Sequence, residues 1–560
     1  MKADGTPFTP PPEAEGFAER HRRQNARFDF ASRPKIARHD FRKRSRDTAL
    51  RMTTQKRNPP LKTRGGAPAK ADSTARILWV VFVLLFPFAL QAQSPELSKT
   101  VQDFVRVQSA RVVLSHVRII DGTGAPAAED QNIVIAAGKI AAVQKGADVP
   151  PAENTTVLDL RGYTVMPGIV GMHNHLFYVA RPNLDSQRHF EEPLAVPQMV
   201  FSAPRLYLAA GVTTMRTTGS VEPYADLNLR RDIDAGKLPG PHLDVTGPYL
   251  EGDHSYFLQM AQLTSPEDAR QTVEYWADRG ATSFKAYMNI TRAELKAAIE
   301  AAHKRGIKVT GHLCSVTYKE AAEIGIDDLE HGFFVNTQLD PDKKPDVCSQ
   351  SEGDETLARM DPNGPEAKDL IATLISHHVA ITSTLPVFEG DLGGGRPPLR
   401  QQVLDAMTPE AREDFFLLRQ RPASAPTPKI DRTMLWKHDL ELERAFAAAG
   451  GLLLSGPDPT GRGDVLPGFG DQRGIELLVE AGFSPLEAIK IATLNGAIYL
   501  GREKQIGSVA TGKNADLVVI KGDPSMQISD IEKVQIVFKD GIGYDSQELL
   551  DSVRGRYGQY

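Results

Sequence analysis

Cysteine is nearly missing from this 560-residue chain, which has only Cys314 and Cys348. Two cysteines allow at most one disulfide, which excludes a disulfide-stapled scaffold; free thiols are the plain expectation. Long apolar runs are scarce as well. The run Ile77–Leu90 is short for a bilayer span, and Pro87 interrupts it. Excess positive charge is missing from most of the chain. The net charge is -5, and the basic residues gather at the start: 19 Lys and Arg against 8 Asp and Glu up to Arg76, leaving 47 against 63 beyond. An acidic body carries no footprint for nucleic acid, so no nucleic-acid partner is expected.

Residues 1–75 also lack any apolar period and are rich in Pro, Arg and Lys, which predicts a disordered basic leader. Basic residues precede Ile77–Leu90, and Gln91-Ala-Gln-Ser94 follows it. That is the pattern of a signal peptide over 76–93, cleaved near Ala92. An uncleaved membrane anchor is the alternative. A start at Met52 would leave a basic n-region of ordinary character. The expectation is an exported protein, periplasmic or secreted, touching the membrane only through that anchor. Self-association is left open.

Two stretches alternate apolar and polar residues between Gly and Asp turns. They are 110–165, with Val112–Ile120 and Asn132–Ala136, and 496–545, with Ala515–Ile520 and Val534–Gly541. They predict a small β-sandwich domain built from both chain ends, with 546–560 as a C-terminal tail. Between them, 166–495 alternates apolar runs with amphipathic helical segments, the mark of βα units. Eight candidate strands are 165–172, 212–217, 242–247, 282–287, 307–312, 327–331, 379–384 and 451–456. Eight such units predict a (β/α)₈ TIM barrel, whose chemistry sits at the C-terminal strand ends. The long stretch 386–435 after the seventh strand reads as a lid or a disordered loop.

Those strand ends carry a repeated chemical theme. Val165-Met-Pro-Gly-Ile-Val-Gly-Met-His-Asn-His175 ends in two histidines spaced i, i+2, on one face of a strand. Later ends supply Lys285, His312, His331 and Asp458. Imidazole and carboxylate suit zinc and similar divalent ions. Lys285 also fits a charged lysine beside a single metal. Asp458, inside Gly456-Pro-Asp-Pro459, also fits a turn residue. Near the strand ends, Tyr178, Arg216, His254 and Tyr287 are candidate substrate contacts. Arg216 could clamp a substrate carboxylate or serve an internal ion pair.

The ordered set resembles the metal-dependent amidohydrolase superfamily. The resemblance rests on Met166-Pro-Gly-Ile-Val-Gly-Met-His-Asn-His175, Gly211-Val-Thr-Thr214, Phe284-Lys285, Gly311-His312, Leu329-Glu-His-Gly332, Gly456-Pro-Asp458 and Gly507–Val519. It is nearest to the imidazolonepropionase-like and Xaa-Pro-dipeptidase-like branch, which usually has Gly-Thr-Asp where this chain has Gly-Pro-Asp458. It implies two divalent ions, zinc first among the candidates. His173, His175 and Asp458 would hold one and His312 and His331 the other. Lys285, carboxylated by CO₂, would bridge them together with a hydroxide. Carbamate formation needs a neutral amine, which burial favours. Asp458 would be catalytic, taking the water's proton and passing it to the leaving nitrogen. The implied function is hydrolysis of a C–N bond in a small amide, cyclic amide or dipeptide. Alternatives are a lactonase or cyclic imidohydrolase on the same site, or a non-catalytic metal-binding envelope protein.

Overall fold

Nine strands from the two ends of the chain pair into one sheet. In this computed structural model the described residues are 96–558 apart from 151, 180–195, 254, 256–258, 393–395, 397–399, 414, 417–429 and 460–464; all belong to one unit, Gln91–Tyr560. The leader over 1–75 and the signal segment over 76–93 lie outside the described residues. No helix among the described residues is long and apolar enough to cross a membrane.

The front of the chain gives Val105–Val107, Arg111–Ile119, Ala128–Ala136, Lys139–Lys145, Thr155–Asp159 and Tyr163–Pro167 to the sheet. The back gives Leu517–Lys521, Val534–Lys539 and Ile542–Asp545. The seam is antiparallel, with Met166 opposite Val518. Val112, Leu114, Ile133, Ile135, Leu517, Val519, Ile536 and Phe538 from both ends form one buried apolar cluster. The sequence suggests two facing sheets, whereas the hydrogen bonding joins all nine strands. Arg111–Ile119 is the reason. It is bulged around His116, whose φ is 57°. Its first half pairs with Thr155–Asp159 and its second with Tyr163–Pro167. The expected tail is also structured, with a helix at Ser546–Ser552.

The centre is mixed α/β. Its parallel strands are β1 (Ile169–Gly171), β2 (Val212–Arg216), β3 (two pieces, His242–Asp244 and Thr246–Glu251), β4 (Ser283–Ala286), β5 (Lys308–Gly311), β6 (Asp328–Glu330), β7 (Ala380–Ser383) and β8 (Leu453–Ser455). Pairing is parallel from β1 to the first piece of β3 and from its second piece to β8. Met172 N donates to Ser455 O at 2.9 Å, so the end of β8 lies beside the end of β1. The expected first strand, 165–172, divides in two. Gly168 N bonds Asp516 O, next to the terminal-sheet strand Leu517–Lys521, and Ile169 N bonds Gly211 O of the centre, both at 2.9 Å. Tyr163–Pro167 therefore belongs to the terminal sheet.

Helices separate the strands. Arg292–His303 starts in a capping box between Thr291 and Glu294, and Tyr318–Ile324 in one between Thr317 and Glu320. On Arg292–His303, Leu295, Ala298, Ile299 and Ala302 form the buried stripe that period 3.6 requires. Within 386–435, Leu385–Glu389 and Gln401–Ala406 are helical and 417–429 lies outside the described residues.

The two cysteines are not free thiols. Cys314 and Cys348 form a disulfide with Cα atoms 4.7 Å apart. The segment after β6 folds back over the end of β5, where Thr337 Oγ1 donates to Cys314 O at 2.9 Å. That return brings residues 34 apart in sequence together.

Candidate metal centre and the network behind it

β1 ends in an apolar run, so the chain leaves it with His173 and His175 directed into the protein; both are buried. Tyr207 fixes the second one. Its hydroxyl donates to His175 O at 2.8 Å and accepts from His175 N at 3.1 Å. Lys285 is the third residue of β4, His312 follows β5, His331 follows β6, and Asp458 lies just beyond β8. Gly456 permits the last approach, because a Cβ there would stand 2.2 Å from His173 N. Asp458 N then donates to His173 O at 3.0 Å. Asp458 is thus more than a turn residue: its carboxylate is buried against the histidines of β1.

The six side chains converge. His173, His175 and Asp458 each offer a ligand atom, all within 4.8 Å of one another. Asp458 Oδ1 is 3.0 Å from His175 Nε2 and 3.5 Å from His173 Nε2, and Oδ2 is 3.9 Å from His331 Nδ1. Lys285 Nζ is 3.2 Å from His173 Nε2. The His312 and His331 rings lie 4.4 Å apart by centroid.

These contacts do not satisfy the atoms that make them. His175 Nε2, His331 Nε2 and Asp458 Oδ1 are buried without a hydrogen-bond partner among the described residues. Buried polar atoms are ordinarily paired. Lone-pair atoms gathered around one point suit a cation better than they suit each other. Their charge states agree. Burial, helped by neighbouring His173, pushes His175 down to about 4, and burial with Lys285 pushes His312 down to about 3. His331 is driven well below its usual value by burial and His312. All three imidazoles are neutral at pH 7, the state that binds metal. Burial also lowers Lys285. Burial alone would raise Asp458, but His173 and His175 hold it well below the usual carboxylate range.

The backbone at two of these residues is unusual. His331 has φ 73° and Asp458 φ 55°, left-handed values that non-glycine residues seldom adopt. Strain of this kind persists where surrounding contacts enforce it, and functional sites are where it gathers.

The sequence reading assigns no role to Glu330, yet Glu330 stands directly behind the centre. Its Oε2 accepts from His173 Nδ1 at 2.6 Å, leaving Nε2 of that ring for the cluster. Its Oε1 accepts from Arg216 Nη2 at 2.9 Å and from Thr310. Arg216 Nη2 also donates to Asp328 Oδ2 at 2.6 Å, and its Nε to Met172 O at 2.8 Å. Arg216 is therefore not a substrate clamp. It is fully buried, with its guanidinium held by two carboxylates of β6. Burial would raise Glu330, but His173 and Arg216 together hold it below the usual range. Asp328 is raised by burial and by Glu330. A signal was present in the sequence: Asp328 and Glu330 are two acids at i, i+2 in a short strand, so they share one face.

Of the other proposed substrate residues, Tyr287 lies at the centre, its ring 4.9 Å from that of His312 and 5.1 Å from that of Tyr249. Tyr178 is buried, with its ring edge-on to Tyr557 at 5.7 Å. His254 lies outside the described residues.

Comparison with known proteins places this arrangement in context. Residues 164–342 and 463–542 match the amidohydrolase family. An adenine deaminase of Roseobacter denitrificans is 36% identical over 64 residues, a stretch that is 11% of this chain and 11% of that enzyme. Among solved structures, a bottromycin amidohydrolase superposes with TM-score 0.59 at 22% identity, covering 82% of this chain and 95% of its own. A Xaa-Pro dipeptidase with methionine bound in its active site superposes with TM-score 0.56 at 21% identity, covering 78% and 100%.

Proposed function

Because this chain belongs to the amidohydrolase superfamily, we propose that it is an exported, metal-dependent hydrolase of a C–N bond in a small amide, cyclic amide or dipeptide. The observation that carries the reading is the convergence of His173, His175, Lys285, His312, His331 and Asp458, with buried nitrogen and oxygen atoms left unpaired among them. The eight parallel strands and the bond from Met172 to Ser455 support a (β/α)₈ barrel with these residues on one rim.

His173, His175 and Asp458 are the residues that would hold one divalent ion, and His312 and His331 a second. Lys285, whose charged form burial disfavours, is the residue that would carry a carbamate. Zinc fits the imidazole and carboxylate donors. Such ions supply Lewis acidity toward a carbonyl oxygen and acidify water. Asp458 is ionised at neutral pH and takes the proton of the attacking water on its carboxylate. It then returns that proton to the departing nitrogen, so the products are an acid and an amine. Tyr287, beside His312 and partly exposed, borders the space a substrate would fill. Glu330 keeps His173 in one tautomer.

Export is supported by the signal-like segment and by the Cys314–Cys348 disulfide, since such bonds persist in oxidising compartments. The test of function is a hydrolysis screen of metal-reconstituted protein against N-acyl amino acids, Xaa-Pro dipeptides, cyclic imides and lactones. Turnover of amides that chelator removes and metal restores is the expected result. Cleavage of lactones alone would reassign the bond, and no cleavage across all four classes would leave a metal-binding protein.

A further inference from the structure

The helix Arg432–Ala448 buries Leu435, Trp436, Asp439, Leu442, Glu443 and Phe446. These six form one stripe at helical spacing, and two of them are acids. Asp439 and Glu443 are both fully buried. Asp439 Oδ2 and both oxygens of Glu443 lack a well-formed hydrogen bond among the described residues, although the two carboxyl groups face each other and Glu443 faces Ser383. Carboxyl groups in such a place are costly unless something uses them.

Their surroundings indicate the use. Asp439 Oδ1 accepts from Phe333 N at 2.7 Å. A Cβ on Gly332 would stand 2.5 Å from Glu443 Oε1 and 2.6 Å from Asp439 Oδ1, so both acids press on the Cα of Gly332. His331 and Gly332 are both left-handed, with φ 73° and 57°. The same turn is gripped elsewhere. Tyr318 Oη donates to Glu330 O and Gly332 O at 3.0 Å each, and Gly332 N donates to Thr382 O at 3.0 Å. Only the carboxyl pair meets the turn from the helix side among these contacts, and neither acid touches the cluster of imidazoles in any contact seen here.

We infer that Asp439 and Glu443 are positioning residues that hold the His331–Gly332–Phe333 turn in its left-handed form and so set the His331 ring for metal binding. The inference rests on the proposed role of His331 as a ligand. Asp439 supplies the acceptor for Phe333 N–H, and Glu443 fills the space above Gly332. Burial pushes both acids upward, Asp439 to about 8, which disfavours a second pair of anions beside the candidate metal centre.

The test separates positioning from stability. The double variant Asp439→Leu/Glu443→Met makes the stripe wholly apolar, and replacing buried polar groups by apolar ones of similar shape can be nearly neutral or stabilising. Apoprotein is titrated with Zn²⁺ against a chromophoric chelator, with melting followed by circular dichroism. The expected result is an unchanged or raised melting temperature together with about 10–100-fold weaker binding of the second ion. Asp439→Asn keeps an acceptor oxygen and should bind as wild type does. Gly332→Ala drives a methyl group against both acids and should weaken the second ion even if the double variant does not fold. Undiminished binding of the second ion in the double variant or in Gly332→Ala would overturn the inference. A wild-type protein that binds one ion only would instead overturn the two-ion reading on which it rests.

Discussion

Replacing Glu330 by Gln probes how far the candidate metal centre depends on the charges behind it. Glu330 accepts from His173 with one oxygen and from Arg216 with the other, at 2.6 and 2.9 Å. Glutamine has one acceptor oxygen and a donor NH₂. In one orientation the NH₂ faces Arg216; in the other it faces His173 Nδ1. Either way a donor meets a donor, and one charge-assisted hydrogen bond of about 1.5–3 kcal/mol is lost. Arg216 keeps Asp328 at 2.6 Å, so the fold should survive. The damage should appear at His173, whose ring loses its anionic partner and its fixed tautomer. Loss of such a partner typically weakens metal binding about 10–100-fold, or about 1.4–2.7 kcal/mol. Competition titration of the apoprotein with Zn²⁺ measures it, with circular dichroism as a check on folding. Wild-type affinity in a folded Glu330→Gln protein would refute the argument that Glu330 orients His173 for metal.

Asp458→Asn should retain much of its metal and lose about 10²–10⁴-fold in kcat with little change in KM; retention of most of the turnover with metal bound would make Asp458 a ligand only. Reduction of Cys314–Cys348, or its replacement by serines, should lower stability by about 2–4 kcal/mol. An unchanged urea midpoint under reducing conditions would mean that the disulfide contributes nothing in solution. Asp226 is fully buried with Ser220 Oγ at 2.6 Å, and burial pushes it up to about 7. A folded value above the unfolded one means that the native state binds the extra proton between about pH 4 and 7, so its stability is lost as pH rises through that window. Asp226→Asn should therefore raise the melting temperature at pH 8, by the equivalent of up to about 4 kcal/mol, and leave it nearly unchanged at pH 4. An equal effect at both pH values would show that Asp226 does not titrate there.

The six converging side chains were legible because strand ends are legible: each lies near the end of a candidate strand, and the spacing of His173 and His175 has the period of a strand. For Arg216 the sequence left a substrate clamp and an internal ion pair equally open, because its partners, Asp328 and Glu330, lie 112 and 114 residues away. Local sequence shows the charge and not what answers it. Glu330 stood in plain view beside His331, but its partner His173 arrives only when β1 and β6 share one core. The left-handed backbone at His331 and Asp458 has no local signature, since neither residue type demands it. Tertiary contacts impose it, through Tyr318 and Asp439 at one turn and the bond from Asp458 N to His173 O at the other. The division at Gly168 was hidden for a related reason. Val165 through Met172 reads as one apolar run, and only its partners, Leu517–Lys521 on one side and β2 on the other, reveal two strands. The disulfide depended on a loop return that no spacing rule announces.

The central claim is that the imidazoles, Lys285 and Asp458 form a metal-dependent hydrolytic site. Its most direct test is to titrate the apoprotein with Zn²⁺ in bicarbonate buffer and to follow turnover of an amide substrate at each metal equivalent. The account predicts no turnover without metal and a rise that breaks at two equivalents. Full turnover in the metal-free protein, or none at any loading with any C–N substrate, would contradict it.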